Sequence, residues 1–133
     1  MATLSIFLLA SVGIFINFTV NSFPLFQPDW CLAVIVGATL AHRVFALWSI
    51  PVIIAHDLIL YWSIWITPPL ILIYPIIISQ MDYKLGPGQP QRFIWLLIFT
   101  APLLLNQWHP ISAILTLLLA IYTWHICSKY DFQ

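Results

Sequence analysis

Polar residues in this chain do not alternate with apolar ones; they punctuate long apolar runs. The runs cover residues 3–20, 30–41, 44–78, 93–105 and 111–127. The breaks are a turn-rich segment at 21–29 (NSFPLFQPD), the pair His42-Arg43, a polar stretch at 79–92, and 106–110 (NQWHP). Such runs, bounded by proline and asparagine signals, predict helices. The 44–78 run is too long for one helix: about 35 residues at 1.5 Å each would reach roughly 50 Å. It must fold back once. Tyr61-Trp62-Ser63 and Thr67-Pro68-Pro69 are the candidate turns, because prolines and interfacial aromatics collect at helix ends. The pattern therefore predicts six helices, at about 3–20, 30–41, 44–60, 64–79, 93–105 and 111–127, in a single domain covering 1–133.

Composition sets the expected solvent. The chain is 62% hydrophobic and 6% charged, whereas a water-soluble domain carries about a quarter charged residues. This predicts an all-α membrane protein, with six transmembrane helices in one compact bundle. The formal net charge is zero, so nothing suggests nucleic acid as a partner. The first twenty residues lack a basic leading region and read as a retained helix rather than a signal peptide. Asn17-Phe18-Thr19 matches a glycosylation sequon, but it lies inside an apolar run. With six spans, Arg43, Lys84, Arg92 and Lys129 all fall on one side. The positive-inside rule makes that side cytoplasmic, with both termini there and His42-Arg43 as a cytoplasmic turn. The expected location is a plasma membrane, crossed several times.

Asp57 stands out inside the third run. Counted from residue 44 it lies roughly 20 Å along the helix, where a charged carboxylate costs about 2.5 to 3.5 kcal/mol in hydrocarbon. It should face the interior and find a partner, or be protonated. Asn17, at matching depth on the first helix, is the expected partner. His56 is adjacent but about 100° around the helix, and Arg43 is too far along the axis. The bland reading of Asp57 is an interhelical hydrogen-bond clamp; the sharper one is a proton or ion relay.

Other chemistry is sparse. No two of His42, His56, His109 and His125 share both depth and a metal-ligand spacing, so no metal or haem site is expected. Cys31 and Cys127 lie at opposite ends of their helices, and no disulfide is expected. No phosphate loop, nucleophile elbow or HExxH occurs. The expectation is a protein that is not an enzyme and has no cofactor. No GxxxG occurs, so close glycine-mediated packing is not signalled. Pro51, Pro69, Pro75 and Pro102 should start or kink helices. Trp30, Trp62, Trp108, Tyr83 and Tyr130 read as interfacial anchors.

The run Gln27-Pro28-Asp29-Trp30, then apolar residues, then His42-Arg43-Val44, with Asp57-Leu58 fifteen residues after His42, resembles the MreD family. Those are small bacterial inner-membrane proteins of rod-shape determination. In that likeness Pro28, Asp29 and Trp30 lead into the second helix, and His42-Arg43 turns the chain after it. The resemblance implies a non-enzymatic scaffold subunit of the cell-shape and elongation complex that positions peptidoglycan synthesis. Its implied partners are an MreC-like protein and, through it, MreB and the wall synthases. The family fold is similar to the membrane components of vitamin-type importers. This supplies the alternative of a small-molecule-binding importer subunit; an accessory subunit of another membrane complex is a third. A binder should converge polar groups, and here only Asn17, Asp57, Asn106 and His109 are available.

Overall fold

Prolines open most of the helices. In the computed structural model, which describes residues 2–20, 27–86, 88–106 and 108–129, the elements are α1 (Ala2–Val20), α2 (Trp30–Ala41), α3 (Phe45–Trp48), α4 (Ile50–Tyr61), α5 (Pro68–Leu85), α6 (Gln89–Leu105) and α7 (Pro110–Cys127). Each of α4 to α7 has a proline in its first two positions, where the missing N–H would have no intrahelical partner anyway. Pro51 also explains why the expected 44–60 helix is split. It cannot donate to the Leu47 carbonyl, and the helix is interrupted at Ser49, whose hydroxyl donates to the Ala46 carbonyl at 2.9 Å. Both expected turn signals are used. Helix α4 stops at Tyr61, Trp62 adopts a left-handed φ of 59°, and α5 starts at Pro68-Pro69. Pro75 and Pro102 sit inside α5 and α6.

Helix α2 is the hub. Nine of its twelve residues are buried, as befits a helix that is apolar all round. It packs on α1, α3, α4, α6 and α7, most extensively on α7. Single glycines allow this approach, which the missing GxxxG did not foretell. A Cβ at Gly37 would lie 2.5 Å from the Thr123 Cβ and 2.8 Å from the Ala120 carbonyl oxygen of α7. A Cβ at Gly13 of α1 would lie 2.8 Å from the Cys31 nitrogen. A second packing centre joins α5 to α6, where Tyr74 meets Trp95 and Phe99 with ring centroids 5.3 and 5.6 Å away.

The six-span membrane bundle is corrected by this structure. Seven helices occur among the described residues, and one of them, Pro110–Cys127, is long and apolar enough to cross a bilayer. Helices α2 and α4 have twelve residues each, about 18 Å at 1.5 Å per residue, against a hydrocarbon core of about 30 Å. Helix α5 ends in a turn carrying Asp82 and Lys84, and α6 carries Arg92 in its first turn. Run length overstated helix length: the interruption at Ser49 divides the expected 44–60 helix, and the connection at 62–67 takes residues expected in the next one. The sides given to the loops and termini rested on the six-span count and fall with it. His42-Arg43 is seen as a tight turn in which the Phe45 and Ala46 amides donate to the His42 and Arg43 carbonyls. Large apolar side chains also lie outside, Leu8, Phe15, Leu47, Trp65 and Leu105 among them. Of the expected anchors, Trp62 and Tyr83 are exposed, Trp108 packs against the core, and Tyr130 lies outside the described residues, as does the 21–26 part of the first loop.

Candidate functional site

Three ionisable side chains meet where α2 begins and α4 ends. Asp29 is the residue before α2, and its Oδ1 accepts from the Leu32 amide at 3.1 Å. That is an N-cap, satisfying one of the free amides of the first helical turn. Its own amide donates to the Thr116 hydroxyl of α7 at 3.0 Å, and Thr116 in turn donates to the Ser112 carbonyl. The other carboxylate oxygen, Oδ2, accepts from His56 Nε2–H at 2.6 Å. His56 Nδ1–H reaches Asp57 Oδ1 at 2.8 Å, and Asp57 Oδ2 accepts from the Thr67 amide, just before α5, at 2.8 Å. Asp29, His56 and Asp57 are all fully buried. The line Leu32–Asp29–His56–Asp57–Thr67 thus ties the starts of α2 and α5 to the last turns of α4.

The surroundings close the site. Tyr61, one turn beyond Asp57, stands edge-on to the His56 ring with centroids 5.8 Å apart. Cys31 is buried on α2, and its thiol is pushed well up by burial and then by the negative charges of Asp29 and Asp57. Burial alone would push the His56 imidazolium down. The Asp29 charge and the hydrogen bonds to Asp29 and Asp57 outweigh it and raise His56 to about 9.

Asn17 lies elsewhere than expected. Its Nδ2 donates to the Pro28 carbonyl at 2.8 Å, and its Oδ1 accepts from the Trp30 amide at 3.1 Å. It braces the backbone on either side of Asp29 instead of bonding Asp57. The expected Asp57–Asn17 bond is replaced by Asp57–His56 because rotation around the helix separates Cβ vectors, not side-chain tips. A histidine Nδ1 lies close enough to its own backbone to bend onto the next side chain. Asp29 was read only as part of the helix entry that the resemblance implied; its place before an apolar run is a cap signal, but neither the cap nor the link to His56 was read. The signal was available: Asp57 is four residues from the end of α4 and Asp29 stands at the start of α2. Two acids at one end of the bundle need a cation between them.

The other sequence-marked residues are scattered. His42 donates from Nε2 to the Cys127 carbonyl at 3.0 Å, joining the α2–α3 turn to the end of α7. His109 caps α7 by accepting from the Ile111 amide, and Asn106 bonds the Pro102 carbonyl. Neither converges on Asp57. A separate polar cluster pairs Arg92 with Asp82 at 2.9 and 3.2 Å, while the buried Tyr74 hydroxyl has no hydrogen-bond partner among the described residues. No group of three or more His, Cys, Asp or Glu among the described residues is arranged to hold a metal.

No family model, no curated protein and no solved structure matches the chain. The MreD likeness is therefore corrected: the motif around Pro28-Asp29-Trp30, His42-Arg43 and Asp57 is too short to carry a family, and its spacing has another cause. Asp29 and Asp57 stand where they do because they share one histidine. The scaffold function, the importer and accessory-subunit alternatives, the MreC-like, MreB and wall-synthase partners and the inner-membrane location rested on that likeness and on six spans. They are withdrawn with them.

Proposed function

We propose that this chain is non-enzymatic and that Asp29, His56 and Asp57 form a structural clamp holding the corner between α2, α4 and α5. One observation carries the reading: both nitrogens of a fully buried imidazole are bonded to carboxylates whose remaining oxygens each accept a backbone amide. Every polar atom of the trio is thereby engaged with the protein itself, leaving none aimed at a substrate. Two surface grooves, of about 240 and 280 Å³, are lined by Gln89, Phe93, Trp124 and His125 in one case and by Ile14, Phe15, Phe18 and Ile59 in the other. Neither reaches the trio. The nearby Cys31 is held as a thiol, the form that is a poor nucleophile.

Replacing Asp57 tests the clamp. Asp57→Asn keeps an acceptor for the Thr67 amide, and its amide can donate to a neutral His56 Nδ1. Asp57→Leu strands both groups, and each buried polar group left unpaired costs about 1 to 3 kcal/mol. Chemical unfolding in a mild detergent that covers the exposed leucines should show Asp57→Asn close to the parent and Asp57→Leu less stable by about 2 kcal/mol or more. Equal stability of Asp57→Leu and the parent would sink the clamp.

A further inference from the structure

We infer that the Asp29–His56–Asp57 trio is a proton-binding site that locks the α4–α5 corner when His56 carries both ring protons and releases it when one is lost. The inference rests on the clamp reading and adds a state to it.

Proton positions follow from the bonding. Carboxylate oxygens accept, and Asp29 Oδ1 and Asp57 Oδ2 already receive backbone N–H groups. With both carboxyl groups ionised, the bridging protons belong to the ring, one on each nitrogen, at 2.6 and 2.8 Å from the carboxylates. In that state the trio holds two negative charges and one positive. Loss of one proton leaves two negative charges and a ring lone pair aimed at a carboxylate, all fully buried. One of the two bridges must then open.

The surroundings decide which. Asp29 is fixed at three points, through Leu32, through Thr116 and through the Asn17 bonds to its neighbours. Asp57 is held, besides His56, by the Thr67 amide, at the end of a connection whose Trp62 and Trp65 are 90% and 80% exposed. The Asp57 side yields, and the Thr67 amide is freed with it.

Among the described residues no other ionisable group substitutes for the lost charge. Facing His56 are Asp29 from the α2 end, and Asp57 and Tyr61 on its own helix, with Cys31 of α2 close to both carboxylates. Helices α1 and α3 carry no ionisable side chain. On α5 the nearest is Tyr74, seven residues past Thr67, about 10 Å along the axis. On the α7 side, His109 and Tyr122 are seven and six residues from Thr116, about 9 to 10 Å away. Arg43 follows the end of α2 opposite Asp29, about 18 Å along that helix. The folded histidine is raised to about 9 from an ordinary 6.5. The proton-linked stabilisation is therefore fully present below about pH 6.5 and is lost as pH rises through about 9.

The test is nitrogen NMR of the His56 ring, in a chain with His42→Gln, His109→Gln and His125→Gln so that His56 alone reports. Hydrogen exchange at the Thr67 amide is followed in the parent. Between about pH 6 and pH 10 the ring should pass from doubly to singly protonated with a midpoint near 9. Over the same interval Thr67 protection should fall about tenfold beyond the intrinsic effect of hydroxide, while Leu32 protection holds. In Asp57→Asn the ring midpoint should move down by about a unit or more. A parent His56 singly protonated at neutral pH overturns the inference, as does Thr67 protection that stays level through the ring transition. If Asp57→Leu is nevertheless destabilised, the clamp survives and the switch alone falls. If Asp57→Leu is as stable as the parent, both fall.

Discussion

Gly37 is the position where one added methyl group should hurt most. It sits on α2 against α7, the most extensive helix pairing in the molecule. An alanine Cβ would meet the Thr123 Cβ at 2.5 Å, the Ala120 carbonyl oxygen at 2.8 Å and the Thr123 Cγ2 at 2.8 Å. Carbon atoms in contact prefer about 3.5 to 4.0 Å, so α2 and α7 must part by about 1 Å or tilt. The obstacles are stiff. One is a backbone oxygen, and the other belongs to a β-branched side chain whose hydroxyl is bonded to the Leu119 carbonyl. Overpacking of this kind costs about 1 to 3 kcal/mol, against a gain of about 1 kcal/mol from alanine's helix propensity over glycine. With both obstacles unable to swing aside, the expected net loss for Gly37→Ala is about 1 to 2 kcal/mol. The assay is thermal unfolding by circular dichroism in mild detergent, where the midpoint should fall by roughly 3 to 8 °C. Gly88→Ala is the control: its nearest neighbour would be the Pro90 Cδ at 3.6 Å, and it should stay within about 0.5 kcal/mol. Thr123→Ala should not rescue Gly37→Ala, because the Thr123 Cβ position and the Ala120 oxygen both remain. A Gly37→Ala variant more stable than the parent would show that α2 and α7 are not packed this closely, and the reasoning would fail.

Three further outcomes are expected. Asn17→Leu leaves the Pro28 carbonyl and the Trp30 amide without their side-chain partner, and should cost about 2 kcal/mol or more in chemical unfolding; a loss under about 0.5 kcal/mol would show that the brace beside Asp29 is dispensable. Tyr74→Phe removes a buried hydroxyl that has no partner among the described residues and keeps the ring between Trp95 and Phe99. Its unfolding midpoint should be unchanged or higher, and a marked loss would reveal a bond to that hydroxyl. Cys31, buried and held as a thiol by burial and by the Asp29 and Asp57 charges, should resist alkylation at about pH 8 in the folded protein and react on unfolding; rapid labelling of folded protein, read by mass spectrometry of the Cys31 peptide, would contradict a closed site.

Helical class, the positions of most helix ends and the oddity of Asp57 were all readable along the chain. They depend on local causes: apolar runs, prolines that cannot donate, and a carboxylate among leucines and isoleucines. Asp29 was equally local, since a cap bonds within its own first turn. The seventh helix was not readable, because the expected 44–60 helix is interrupted at Ser49, beside Pro51, inside apolar sequence. Nor was the use of apolar residues. The same composition that suggested six bilayer crossings goes partly into a helix, α2, buried on all sides by its neighbours, and only α7 among the described helices has the length and apolarity to cross. The partner of Asp57 belonged to the tertiary structure alone. Depth along a helix axis matched it with Asn17, but hydrogen bonds are settled by side-chain tips within about 3 Å. Those tips met only when α2, α4 and α5 came together and put one histidine between two acids far apart in the chain.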